Sequence, residues 1–150
     1  MLKGIDPRLG ADVLYALRAM GHGDALVIAD TNFPADSVAR ATVLGRLLRM
    51  DNLTAAEAVA AILSVMPLDT FVDDFAGRME VVGEPRTIPP VQEEVQAAID
   101  AAEGRPRPMI GIERFAFYDR ARGSYAVIQT GERRFYGCFI LRKGVIPPEA

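Results

Sequence analysis

Apolar residues fall along this chain in two spacings, and the switches between them mark out helices and strands. Over residues 12–20, Val13, Leu14, Leu17 and Met20 share one face of a helix, and Gly21 and Gly23 end the run, with Gly21 well placed as the C′ residue. Ala25-Leu26-Val27-Ile28-Ala29 is nearly all apolar and too short for a helix, which predicts a strand covered on both faces. Asp30 then sits at the carboxyl end of that strand, where ligands tend to bind in open α/β sheets. Residues 31–40 are turn-rich, and Leu47-Leu48-Arg49-Met50 predicts a second strand.

Thr54-Ala55-Ala56-Glu57 spells a capping box, and Val59, Ile62, Leu63 and Met66 follow at helical spacing until Pro67 stops the helix. Residues 75–82 read as a strand. Pro89-Pro90 opens another helix whose Val91, Val95 and Ile99 form the buried face before Gly104 ends it. Residues 105–108 are a short rigid connector, residues 109–112 a brief strand, and residues 114–122 a short helix. Residues 125–130 and 135–141 read as two strands joined at the Gly131-Glu132 turn, a closing hairpin. Strands alternating with helices predict an α/β fold, a three-layer α/β/α arrangement with a mixed central sheet, as a single domain over residues 1–150.

Composition narrows the partners. At 150 residues, half of them hydrophobic and a quarter charged, the chain matches an ordinary soluble globular protein. A net charge of -3 argues against a nucleic-acid footprint. One cysteine and one histidine allow neither an internal disulfide nor the usual metal-ligand spacings, so no metal is expected. No apolar run approaches the ~20 residues that span a bilayer, and the first residues lack a signal-peptide core. The expected location is the cytoplasm, with no membrane partner.

Candidate chemistry centres on His22, the only histidine, set between Gly21 and Gly23. An imidazole ordinarily titrates near ~6.5 and can move a proton near neutral pH; capping the carbonyls of the first helix is the competing role. Asp30 could hold a ligand hydroxyl, orient the histidine, or simply make a turn. Arg114, beside Phe115, Phe117 and Tyr118, offers a forked donor next to aromatic surface, or is a surface arginine. Gly137 within a strand points to a close approach or a bulge. Cys138 reads as a small buried hydrophobe rather than a nucleophile. Serine-hydrolase and phosphate-loop signatures are absent from the sequence.

Met20-Gly21-His22-Gly23-Asp24, Asp30 with Phe33-Pro34-Ala35, Arg114-Phe115-Ala116-Phe117-Tyr118, and Thr130-Gly131-Glu132 through Tyr136-Gly137 to Lys143-Gly144-Val145 resemble the RbsD/FucU family of sugar mutarotases and pyranases, as does the opening Met1-Leu2-Lys3-Gly4-Ile5. The Arg-Phe-Ala-Phe-Tyr block resembles the L-fucose mutarotase branch. The resemblance implies an isomerase that interconverts the α and β anomers of a monosaccharide, with no cofactor. It implies His22 as general acid, and Asp30, Arg114, Tyr136, Gly137 and Cys138 as substrate-binding positions. Tyr136, Tyr118, Asp30 or a bound water would be the second proton-transfer group. It further implies a homo-oligomer whose sites are completed by a neighbouring subunit. Cys138 stands where the family has Asn, which leaves the aldose open; a D-ribose-type pyranase and a non-catalytic sugar-binding oligomer are the alternatives.

Overall fold

A computed structural model describes residues 1–149 of the chain. Its elements in chain order are α1 (Ala11–Ala19), β1 (Ala25–Ala29), α2 (Ala35–Ala39), β2 (Leu48–Met50), α3 (Ala55–Leu63), β3 (Ala76–Met79), α4 (Pro90–Glu103), β4 (Ile110–Ile112), α5 (Arg114–Arg122), β5 (Ala126–Thr130) and β6 (Phe139–Arg142).

Local chemistry sets several of these bounds. The Glu57 N–H donates to Thr54 Oγ1 at 3.2 Å while the Thr54 N–H donates to the Glu57 carboxylate at 2.9 Å, closing the capping box at the start of α3. α3 stops at Leu63, earlier than the proline requires, and Met66 is buried in the loop beyond it. Pro90 opens α4, and Gly104 closes it at φ 74°, a left-handed conformation that costs a glycine little. α1 ends otherwise than expected, because Gly21 does not take that conformation. Lys143 Nζ instead donates to the carbonyls of Leu17 and Met20 at 2.7 and 2.6 Å, a cation set against the negative end of the helix.

The six strands form one sheet in the order β2-β5-β1-β6-β3-β4. Every strand but β6 runs the same way, and β6 is antiparallel to both of its neighbours, β1 and β3. Alternate residues of β1 serve opposite faces. Leu26 and Ile28 join the core built with α1, α3 and α4, whereas Val27 and Ala29 join the one built with α2 and α5. The result is the expected three-layer α/β/α arrangement with a mixed sheet.

Two expectations are corrected. The turn-rich stretch contains α2, a single short helix whose Ala35, Val38 and Ala39 are buried. More consequentially, β5 and β6 form no hairpin, because β1 lies between them. The segment 131–138 crosses over the carboxyl end of β1 and is fastened to it: the Thr31 N–H donates to the Glu132 carbonyl at 2.9 Å and Thr130 Oγ1 to the Ala29 carbonyl at 2.9 Å. Residues 135–138 therefore belong to a connector rather than to a strand, and Phe135 is 74% exposed.

This topology sorts the sheet edges by chemistry. The carboxyl end of β1 and the amino end of β6 meet at one edge, bringing Asp30 next to Tyr136, Gly137 and Cys138. The amino end of β1 and the carboxyl end of β6 meet at the other, where the Gly23 N–H donates to the Lys143 carbonyl at 2.8 Å.

Candidate active site

A pocket of about 270 Å³ opens at the first of these edges. Asp30, Asn32 and Phe33 enter it from the end of β1, Met79 from β3, Arg114 and Tyr118 from α5, and Phe135, Tyr136 and Cys138 from the connector. Five of the positions singled out in the sequence, Asp30, Arg114, Tyr118, Tyr136 and Cys138, are thus brought together from three distant segments.

Asp30 is both a turn residue and a pocket residue. Its Oδ1 accepts the Asn32 and Phe33 N–H groups, each at 2.9 Å, and its Oδ2 accepts the Gly137 N–H at 3.1 Å. A carboxylate offers about four acceptor sites. Three are occupied here by backbone N–H groups and the Cys138 thiol is a further partner, so Asp30 is a rigid acceptor. Gly137 makes no strand and no bulge; a Cβ there would come within 2.8 Å of Glu132 Cγ and 3.3 Å of Asp30 Cβ. The crowding at Gly137 thus comes first from these two acidic side chains, in the connector and not within a strand as expected.

Tyr136 has φ 62°, the one positive φ outside glycine among the described residues. Such a backbone costs about 1–3 kcal/mol and persists only where surrounding contacts impose it. The Val82 N–H donates to its Oη at 3.2 Å, which leaves the hydroxyl hydrogen available to a ligand. Across the pocket, Arg114 Nε–H donates to Tyr118 Oη at 3.3 Å, and the guanidinium lies 5.5 Å from the centre of the Tyr118 ring and 5.6 Å from that of Phe115. Tyr118 likewise keeps its hydrogen, and Arg114 keeps its Nη groups. Glu113 caps α5, accepting the Phe115 and Ala116 N–H groups at 3.0 Å, and these bonds hold its carboxyl below the usual glutamate range. The cap fixes the turn from which Arg114 projects.

Cys138 is buried at 2% exposure, and burial, with Asp30 beside it, pushes its thiol well above the usual cysteine range. That disfavours a thiolate and agrees with a small apolar side chain at the pocket wall. Phe33, Met79 and Cys138, which belong to one buried apolar cluster, line the pocket beside the polar groups.

His22 is not in this pocket. It lies beyond the amino end of β1, so the length of that strand, about 3.3 Å per residue, separates it from Asp30, and Asp30 does not orient it. Nor does it cap α1, a role taken by Lys143. Its Nε2 stands 3.2 Å from Oδ1 of Asp69, a nearly buried carboxylate that also accepts the Phe71 N–H at 3.3 Å. Phe71 meets the imidazole edge to face, with ring centres 5.8 Å apart. With 48% of its side chain exposed, the His22 ring is held at Nε2 by Asp69 and is open to solvent elsewhere.

Sequence reasoning passed over Asp69, Met79 and the fully buried Gln92. None carries a local signal, since each acquires its meaning from a partner far along the chain. Among the described residues no group of three or more His, Cys, Asp or Glu side chains is arranged to hold a metal ion, and no helix is long and apolar enough to cross a membrane.

Comparison with known proteins agrees with this architecture. The sequence profile of the RbsD / FucU transport protein family matches residues 3–146. Fucose mutarotase from Homo sapiens is 42% identical over 148 residues, covering 97% of this chain and 94% of its own. The crystal structure of protein Atu2016 superposes with a TM-score of 0.96 at 67% identity, over 98% of this chain and 97% of that one. A fucose mutarotase from Streptococcus pneumoniae, solved in complex with L-fucose, superposes with a TM-score of 0.86 at 35% identity, over 97% and 100% of the two chains. On the match over nearly all of its length, and on the sheet and pocket it builds, this chain belongs to the RbsD / FucU transport protein family.

Proposed function

We propose that this chain is a sugar mutarotase, an isomerase that interconverts the α and β anomers of L-fucose or a closely related aldose. The observation that carries the reading is the pocket at the end of β1, where a buried carboxylate, a forked guanidinium and two phenols lie beside apolar side chains. L-Fucose asks for that mixture, with hydroxyls to be hydrogen-bonded and a deoxy methyl group to be covered. The human relative is a fucose mutarotase, and a structural neighbour was solved with L-fucose bound.

The reaction moves two protons. One leaves the anomeric hydroxyl and one arrives at the ring oxygen; the ring opens, the aldehyde turns, and closure on its other face yields the other anomer. Asp30, a carboxylate held rigidly at the pocket, and Arg114, with free Nη groups, suit binding and orientation of the sugar. Tyr118 and Tyr136 retain their hydroxyl hydrogens and are the candidates for the second proton-transfer group. His22 is the general acid, steered by Asp69.

His22 can reach such a sugar only from another copy of the chain. In the homo-oligomer we propose, each subunit lends its imidazole to a neighbour's pocket. Exposed aromatics on both halves support this: Phe71 beside His22 is 73% exposed, and Phe135 at the pocket is 74% exposed. The same reading makes residues 1–150 one mutarotase domain, working in the cytoplasm without a cofactor. The experiment is magnetisation exchange by NMR between the anomers of L-fucose, D-ribose and other aldoses. Protein-dependent exchange, strongest on L-fucose, is expected. Saturable binding of sugars without exchange on any of them would leave a non-catalytic sugar-binding oligomer.

A further inference from the structure

Gln92 is a polar side chain with no exposure at all, in the first turn of α4. It takes no part in the chemistry described above, yet its amide is fully employed. Nε2 donates to the Met79 carbonyl at 2.7 Å and to the Tyr136 carbonyl at 3.1 Å, and Oε1 accepts from Arg78 Nη1 at 3.3 Å. Both carbonyls belong to residues that line the pocket. A buried amide so satisfied is a fixed strut, since its donors have no other partner to turn to.

Tyr136 is the residue that needs a strut. Its positive φ is sustained by Gln92 on its carbonyl, by Val82 on its hydroxyl, and by Asp30 on the N–H of Gly137. The last two act on groups that meet the pocket itself. Gln92 acts from behind, out of contact with any ligand.

We propose that Gln92 is a positioning residue for the mutarotase reaction: it locks the Tyr136 backbone in its left-handed conformation and couples it to Met79, so that the Tyr136 hydroxyl is held where the proton must move. This rests on the proposed function of the pocket. The coupling joins α4 to the catalytic edge, a link that Val91, Val95 and Ile99 do not make because they face the core shared with α1 and α3.

The test compares Gln92→Met, which keeps the length and removes both donors, with Gln92→Glu, which keeps the shape and the acceptor toward Arg78. Each variant is also made with Tyr136→Phe, and anomer exchange is measured over a range of sugar concentrations. We expect either single variant to lower the saturating exchange rate about tenfold with the half-saturating concentration little changed. In the Tyr136→Phe background the same change should cost little, because the group it positions is gone. An independent readout is the backbone amide of Gly137, whose chemical shift should move and whose hydrogen-exchange protection should fall in Gln92→Met while β1 and β5 stay protected. Losses that simply add, or an unmoved Gly137 amide with wild-type exchange, overturn the proposal. So does failure of both variants to fold, which would make Gln92 a residue of the fold alone. A wild type without exchange on any aldose would defeat the proposed function, and the Gly137 measurement would still decide whether Gln92 holds the connector.

Discussion

His22 and Asp30 stand beyond opposite ends of the same strand, β1, and open onto opposite edges of the sheet. A site that uses both must draw them from two chains. We predict that His22→Ala and Tyr136→Phe proteins, each nearly inactive alone, recover exchange when co-expressed or mixed after dissociation. If each site takes one half from each of two chains, about a quarter of the sites in a random equal mixture carry both halves intact. Mixed oligomers that form without any recovery would place the chemistry within one chain, as would a fully active monomer seen by light scattering.

Within the His22 half, the direction of each effect follows from burial. His22→Asn should lower anomer exchange by about 10²- to 10⁴-fold, the span of positioned general acid-base catalysis. Its melting temperature should change little, because the side chain is half exposed and sits on a loop. Asp69→Asn should slow exchange less, since the imidazole loses its anionic partner but not its place. Wild-type exchange in His22→Asn would remove it from the mechanism.

Cys138 is the pocket position where this chain departs from the pattern it resembles. A thiol is a weak donor and a weak acceptor, whereas an asparagine offers both functions. A site without that polar group does not penalise a sugar lacking the matching hydroxyl. Cys138→Asn should therefore raise exchange on L-fucose relative to other aldoses in a panel. An unchanged ranking would leave Cys138 as part of the apolar core only.

Acid should loosen the connector that carries Tyr136. Arg134 donates to both oxygens of the buried Glu132, from Nε at 3.0 Å and Nη2 at 2.9 Å, and this pairing holds the Glu132 carboxyl below its ordinary value of 4.5 despite the opposing effect of burial. A carboxylate whose folded pKa is depressed contributes stability above its unfolded pKa, and that contribution is lost as pH falls through the folded value. The melting temperature should thus drop as pH falls below 4.5, and the drop should be shallower in Glu132→Gln. Parallel curves for the two proteins would show that Glu132 is not the group responsible.

Gly137→Ala should damage the site without touching a proton-transfer group. The added methyl would sit 2.8 Å from Glu132 Cγ, and Glu132 is pinned by Arg134 and cannot easily yield. Exchange should fall by about 10-fold or more as Tyr136 is displaced. Full activity would mean that the connector can shift without consequence.

The local signals were readable where the chemistry is local. Thr54 with Glu57, Pro90 with Gly104, and the apolar run of β1 each act within a few residues, and each element formed near where the spacing put it. Asp30, Arg114, Tyr118 and Tyr136, singled out through resemblance and residue type, line one pocket. What the spacing could not convey was pairing at a distance. Phe135 and Phe139 look alike in an apolar run, yet one is exposed and the other fully buried, because only contact with β1 and β3 decides where β6 begins. Asp69 and Gln92 were invisible for the same reason: the first is defined by His22, the second by the carbonyls of Met79 and Tyr136.

The single antiparallel strand also bears on how the protein is made. β6 is the last strand in the chain, yet it lies between β1 and β3 and is the seam that joins β2-β5-β1 to β3-β4. Lys143, directly after it, finishes the end of α1, the first helix among the described residues. A growing chain therefore holds two unjoined half-sheets and an uncapped α1 until residues 139–143 have been added. Such long-range closure slows folding and leaves strand edges open meanwhile. Until β6 takes its place between β1 and β3, the two halves of the sheet cannot behave as one cooperative unit.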